Sequence, residues 1–266
     1  LARWLQLLAP AASAAEVAFV SVAPLRADPV RSLGGVLADV ESRMPPGHLY
    51  ADSRNPVNWA HETTHGLNSR IRNHVGRERV NAFYVLDGRA VVLPEPPLRL
   101  SQVVRMVDPG FDMLSIIDGA NPYARFDNEA ARWEFCPLYG LDEWVAYANG
   151  TECGLDREAH GLWPGPGNEV FAVSLEHAVA LNAYGVALCQ AVSRLDPRAY
   201  AERDQLIAFV AWHTQRVLAL AERARTQSKL FWRPETAAGV ARFEGQVIAR
   251  ESRGDAETLT VEENRL

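Results

Sequence analysis

The sequence predicts an α+β fold that is predominantly α-helical, with one small β-hairpin or sheet. Three observations carry that reading. Capping residues and breakers mark out a succession of helices along most of the chain. One segment alone, residues 81–93, joins two β-rich runs across an Asp-Gly turn. No internal repeat or low-complexity linker divides the 266 residues, a length that suits one domain with a sizeable core.

The elements follow in order. Val17 to Val22 reads as a short strand, and Val30 to Ser42 as an amphipathic helix stopped by Pro45-Pro46-Gly47. Asn55 is an N-cap with Pro56 at the first helical position, and the helix runs to about His74 with Gly76 beyond it. Asn81 to Leu86 and Arg89 to Leu93 form the hairpin, which Pro94 to Pro97 ends. Ser101 can cap a short helix through Val107, and residues 108–123 are rich in turn formers. Asn128 to Phe135 and Leu138 to Asn149 read as helices, the second ended by Gly150. Gly154 to Asn168 is rich in Gly and Pro and reads as a loop or a lid. Two long helices close the fold, Ser174 to Leu195 and Tyr200 to Gln227, broken at Asp196-Pro197.

At the start of the chain, Arg3 precedes the apolar run Trp4 to Ala12, and Ala12-Ser13-Ala14 supplies a small-x-small cleavage pattern. Residues 1–15 therefore read as a signal peptide, and the protein as exported to a periplasmic or extracellular space. The alternative is an attached amphipathic helix on a cytoplasmic protein. Residues 251–266 are polar and read as a solvated tail. Cys136 and Cys153 would be available to close a disulfide in an oxidising compartment, and Cys189 reads as a buried thiol.

Composition excludes several function classes. A net charge of −6 offers no basic surface for nucleic acid. No apolar run reaches the roughly 18 residues that a membrane span requires.

The chemistry lies in Trp59-Ala60-His61-Glu62-Thr63-Thr64-His65-Gly66-Leu67-Asn68. Residues i and i+4 of a helix share a face, so His61 and His65 can bind one metal ion. Glu62 lies one residue-step round the helix, within reach of a water beside that ion. An apolar stripe, Val57, Ala60, Thr64, Leu67 and Ile71, packs the same helix on one side and leaves the histidines at its edge.

This H-E-x-x-H segment resembles that of the zinc metallopeptidases, and the chain is similar to their gluzincin group. The resemblance implies a zincin-like catalytic domain, here residues 16–250, one Zn2+, and a glutamate ligand on a later helix. Glu143, in Leu141-Asp142-Glu143-Trp144-Val145-Ala146-Tyr147, has the matching E-x-x-A form. Glu143, Ala146, Tyr147 and Gly150 share a face whose small residues would allow close approach to the His helix. Rival ligands are Glu129, Glu134, Asp142 and His160, of which Asp142 more naturally orients a ligand from behind.

The resemblance implies peptide-bond hydrolysis, with Glu62 as general base and a peptide or protein as the substrate. Tyr147 is the first candidate to stabilise the oxyanion, followed by Tyr139 and His160; Asn68 and Arg72 would fix ligands or substrate. The hairpin could lend an edge to an extended peptide, although in most zincins the substrate strand precedes the metal helix. A zinc hydrolase of a non-peptide amide, and a binding protein with a structural metal or none, are the competing readings.

Overall fold

A computed structural model describes residues 16–26, 33–104, 133–163, 170–196 and 198–228. The predicted leader, the polar tail, Glu129 and the turn-rich segment 108–123 lie outside the described residues. Along the chain run β1 (Val20–Ser21), α1 (Gly35–Ser42), α2 (Pro56–Val75), β2 (Val80–Tyr84) and β3 (Arg89–Pro94). They are followed by α3 (Leu100–Val104), α4 (Tyr139–Ala159), α5 (Val170–Ser193) and α6 (Arg203–Gln227). The class is mixed α+β and mostly helical.

Helix α2 forms where its end signals place it. Asn55 accepts a hydrogen bond from the Asn58 amide, Pro56 opens the first turn, and Gly76 ends the helix at φ 63°. The stripe Val57, Ala60, Thr64, Leu67 and Ile71 is buried throughout. Trp59 donates its indole N–H to Glu41 of α1, and His48 engages the same carboxylate, which ties the α1–α2 connection down.

The sheet is antiparallel in the order β1-β3-β2, and Ala82 pairs with Val92 at the centre of the hairpin. Strand β1 is only two residues long, much shorter than Val17 to Val22. The free side of β2 is no docking edge at Tyr84. Asn68 accepts from the Tyr84 N–H and Asn149 donates to the Tyr84 carbonyl, so two helix side chains satisfy the outward backbone N–H and C=O that a substrate strand would need. This overturns the expectation that the hairpin edge holds a peptide there.

Helix α4 corrects two further expectations. It does not end at Gly150 but continues to Ala159, and Gly161 terminates it at φ 66°. Gly150 serves close packing instead: a Cβ there would lie 3.0 Å from the Val57 carbonyl oxygen. Residues 154–159 are therefore helix, and Trp163 packs against the core, so this half of the expected loop forms no lid. The rest, residues 164–168, lies outside the described residues.

The cysteines are free. Cys136 precedes α4 and Cys153 is buried within it, four turns on. At 1.5 Å per residue their separation is roughly 20 Å, against a limit of about 7 Å between bridged Cα atoms. Cys189 is buried, as expected. Helix α1 starts at Gly35 rather than Val30, and α3 spans Leu100–Val104 rather than starting at Ser101. Of the predicted helix over 128–135, residues 128–132 lie outside the described residues.

The core is built where α4, α5 and α6 meet. Trp144 is fully buried there and donates its indole N–H to the Ala178 carbonyl of α5. Its ring meets His213 of α6 edge-on at 4.4 Å. On the other side of α4, α2 packs closely, and this pair of helices frames the site.

Candidate metal centre

Helix α2 presents His61 and His65 on one face, and α4 presents Asp142 and Glu143 opposite them. His61 Nε2 and His65 Nε2 stand 3.1 Å apart. Glu143 Oε2 lies 3.8 Å from the first and 3.6 Å from the second. His61, His65 and Glu143 thus form a group that could hold a metal ion. A triangle with sides of 3.1, 3.6 and 3.8 Å has a circumradius of about 2.0 Å, which matches the reach of imidazole and carboxylate ligands to zinc, about 2.0–2.2 Å. The three atoms need no rearrangement to share one ion.

Gly150 makes this approach possible by bringing α4 against Val57, one turn before His61. Behind His65, Asp142 is only 4% exposed. His65 donates Nδ1–H to Asp142 Oδ1 at 2.8 Å, and Asn68 donates to the same oxygen at 2.7 Å. Asn68 is in turn fixed by the Tyr84 amide, so the chain Tyr84–Asn68–Asp142–His65 aims the second imidazole from the sheet outward. Asp142 thus stands behind His65, on its Nδ1 side, while the group that could hold a metal is His61, His65 and Glu143.

The two histidines are electrostatically unlike. Burial, together with His65 and His177 nearby, holds His61 well below the ordinary imidazole range. Burial opposes charge on His65 too, but the hydrogen bonds and negative charges of Asp142 and Glu143 outweigh it and push its pKa well above the ordinary value.

A cleft of about 360 Å³ opens in front of these groups. Glu62 lines it, and no hydrogen bond or ion pair ties its carboxylate down among the described residues. Tyr147 lines it as well, with its ring 4.4 Å from that of His61. Burial and the charges of Glu143 and Glu62 raise the phenol pKa, so Tyr147 stays a proton donor. Tyr139 also reaches the cleft.

His177 of α5 is the residue that sequence reasoning missed. It lines the same cleft, meets the Tyr147 ring edge-on at 4.7 Å, and has a buried Nδ1 with no hydrogen-bond partner among the described residues. Burial lowers its pKa to about 4, so the ring is neutral at pH 7. A lone histidine in an apolar helix carries no spacing signal, and its place became legible only once α5 was packed against α4.

Other expected residues lie elsewhere. His160 is exposed at the end of α4, engages the Asp156 carbonyl, and lines a different cleft with Arg26 and Arg43. Glu134 binds Ser101. Arg72 donates to Asn81 and Ser69 rather than to the site.

No protein-family model, no curated protein and no solved structure matches the chain.

Proposed function

We propose that the protein is a zinc-dependent hydrolase, most consistent with a metallopeptidase similar to the gluzincins, and that it acts after export. The observation that carries this reading is the convergence of His61, His65 and Glu143 on one point about 2.0 Å from each, with the unpaired Glu62 carboxylate in the same cleft.

His61, His65 and Glu143 would hold the ion, and Asp142 keeps the His65 Nε2 turned toward it. Bound there, zinc would supply a Lewis acid that lowers the pKa of water toward ~7 and polarises a carbonyl. Glu62 takes the proton of the attacking water on its carboxylate and hands it to the departing amine, so the proton count balances across the cleaved amide. Tyr147 and neutral His177 line the cleft, and either would serve as a hydrogen-bond donor to the carbonyl oxygen as it gains charge; such a donor is worth about 3 kcal/mol in acyl transfer. A non-peptide amide would meet the same groups, so the substrate is chosen by the cleft walls.

Glu62→Gln tests the reading. The variant should keep one zinc per chain while losing about 10²- to 10⁴-fold in turnover on a broad peptide library. Undiminished turnover would remove the support for a peptidase.

A further inference from the structure

We propose that Asn149, gripped by Arg216 of α6, is a positioning residue of the metal centre: it holds the helix of Glu143 in register with the helix of His61 and His65. The inference rests on the hydrolase reading and adds to that site two residues that do not line its cleft.

Asn149 and Gly150 are both poor helix formers, yet they sit side by side inside the 21-residue α4. Gly150 is accounted for by the close approach of Val57, and Asn149 by what its amide holds. The side chain is fully buried, and both ends of the amide are used. Nδ2 donates to Thr64 Oγ1 of α2 at 3.1 Å and to the Tyr84 carbonyl of β2 at 2.8 Å, while Oδ1 accepts from Arg216 Nη2 at 2.9 Å. Turning such an amide over would set donor against donor and oxygen against oxygen, so it has one orientation. Arg216 also donates to Glu152 at 2.6 Å, three residues on along the same face, and so clasps α4 at two points.

The bond to α2 falls on the turn that carries both imidazoles. Thr64 precedes His65, and its hydroxyl donates in turn at 2.8 Å to the carbonyl of Ala60, which precedes His61. Asp142 pins α4 to the same helix through His65 and Asn68. A helix pinned at one place can still roll and tilt about it. Asn149 stands seven residues further along α4, about 10 Å at 1.5 Å per residue, and supplies the second pin. Apolar contact, as between Gly150 and Val57, sets how near two helices lie but is not directional, whereas these hydrogen bonds are. The precision matters because a site works only when its ligands are held within about 0.5 Å.

The test titrates zinc against a chromophoric chelator and records the visible d–d bands of the cobalt-loaded chain. Asn149→Ala should lose about 10-fold in zinc affinity and shift the cobalt bands. Arg216→Met should move both readouts the same way, and the double variant should fall no further than Asn149→Ala, because both break one chain of bonds. Thr64→Val should also weaken zinc binding, whereas Thr64→Ser keeps the hydroxyl and should bind as wild type does; this pair decides the question if Asn149→Ala fails to fold. Phe209→Leu, in the core where the ring stacks on Phe83, is the control for loss of stability alone. Its urea midpoint should fall with zinc affinity and cobalt bands unchanged. Zinc held equally by wild type, Thr64→Val and folded Asn149→Ala overturns the positioning role and leaves the hydrolase reading standing. Losses that add in full in the double variant overturn the link to Arg216. Weakened zinc binding in the variants of a wild type that cleaves no substrate supports the positioning role and sinks the hydrolase reading; a wild type that takes up no zinc sinks both.

Discussion

Replacing Asp142 probes how the fold aims a metal ligand. In Asp142→Ala, His65 Nδ1 and the Asn68 amide lose the oxygen they share at 2.8 and 2.7 Å, in a place where Asp142 is 4% exposed and water is scarce. The His65 ring is then free to turn, and its basicity falls. Loss of such a partner lowers metal affinity by about 10- to 100-fold, or about 1.4–2.7 kcal/mol. Asp142→Asn keeps the shape and one acceptor oxygen but not the charge, so it should fall at the lower end of that range. The assay is zinc competition against a chromophoric chelator, with exposed Asp204→Asn as the control. Acidity adds a second signature. Asp142 also favours the proton that zinc must displace from His65, so the gap between wild type and Asp142→Ala should narrow as pH falls. Equal zinc affinity in wild type and Asp142→Ala at neutral pH would refute the orienting role.

Three further expectations follow from the same geometry. Tyr147→Phe and His177→Gln should each lower kcat by about 10²-fold with zinc content unchanged, as expected for a donor to the developing oxyanion; loss of zinc in either would assign a structural role instead. His213, fully buried, is held neutral well below its ordinary value of 6.5 by burial and by Arg216. Its unfolded form takes up a proton below about pH 6.5 that the folded form refuses, so stability should fall by about 1.4 kcal/mol per pH unit from there downward. Urea unfolding of His213→Leu across that range should show a shallower fall, and parallel curves would refute the assignment. Gly150→Ala sets helix propensity, a gain of up to about 1 kcal/mol, against a Cβ 3.0 Å from the Val57 backbone oxygen. The backbone cannot move aside as a side chain would, so a net loss of about 1–3 kcal/mol is expected, with weakened zinc binding; a more stable variant would overturn the packing role of Gly150.

Much of the framework was legible in local sequence. The Asn55-Pro56 start and Gly76 end of α2 depend on backbone groups within a few residues, and so did the Asp87-Gly88 hairpin. The spacing of His61 and His65 needed only the helical repeat, and Glu143 was reached through a family resemblance joined to a small-residue face. Relations between distant segments were not legible. Gly150 reads as a stop in isolation, and only the approach of Val57 shows that it is a packing glycine within a helix. Asn68 reads as a residue that fixes ligands or substrate and Asn149 as the end of a helix, yet together they also satisfy the Tyr84 N–H and carbonyl and close the strand edge there. The separation of Cys136 from Cys153 depends on the full length of α4, which the Gly150 reading had cut short. His177 belongs to the same class, since its role is conferred by Tyr147 and the cleft.

Anomalous diffraction at the zinc edge from crystals of the purified chain tests the central claim most directly. One peak is expected, about 2.0–2.2 Å from His61 Nε2, His65 Nε2 and a Glu143 carboxylate oxygen. No peak between α2 and α4 in zinc-saturated crystals, or a peak there with Glu143 turned away from it, would contradict it.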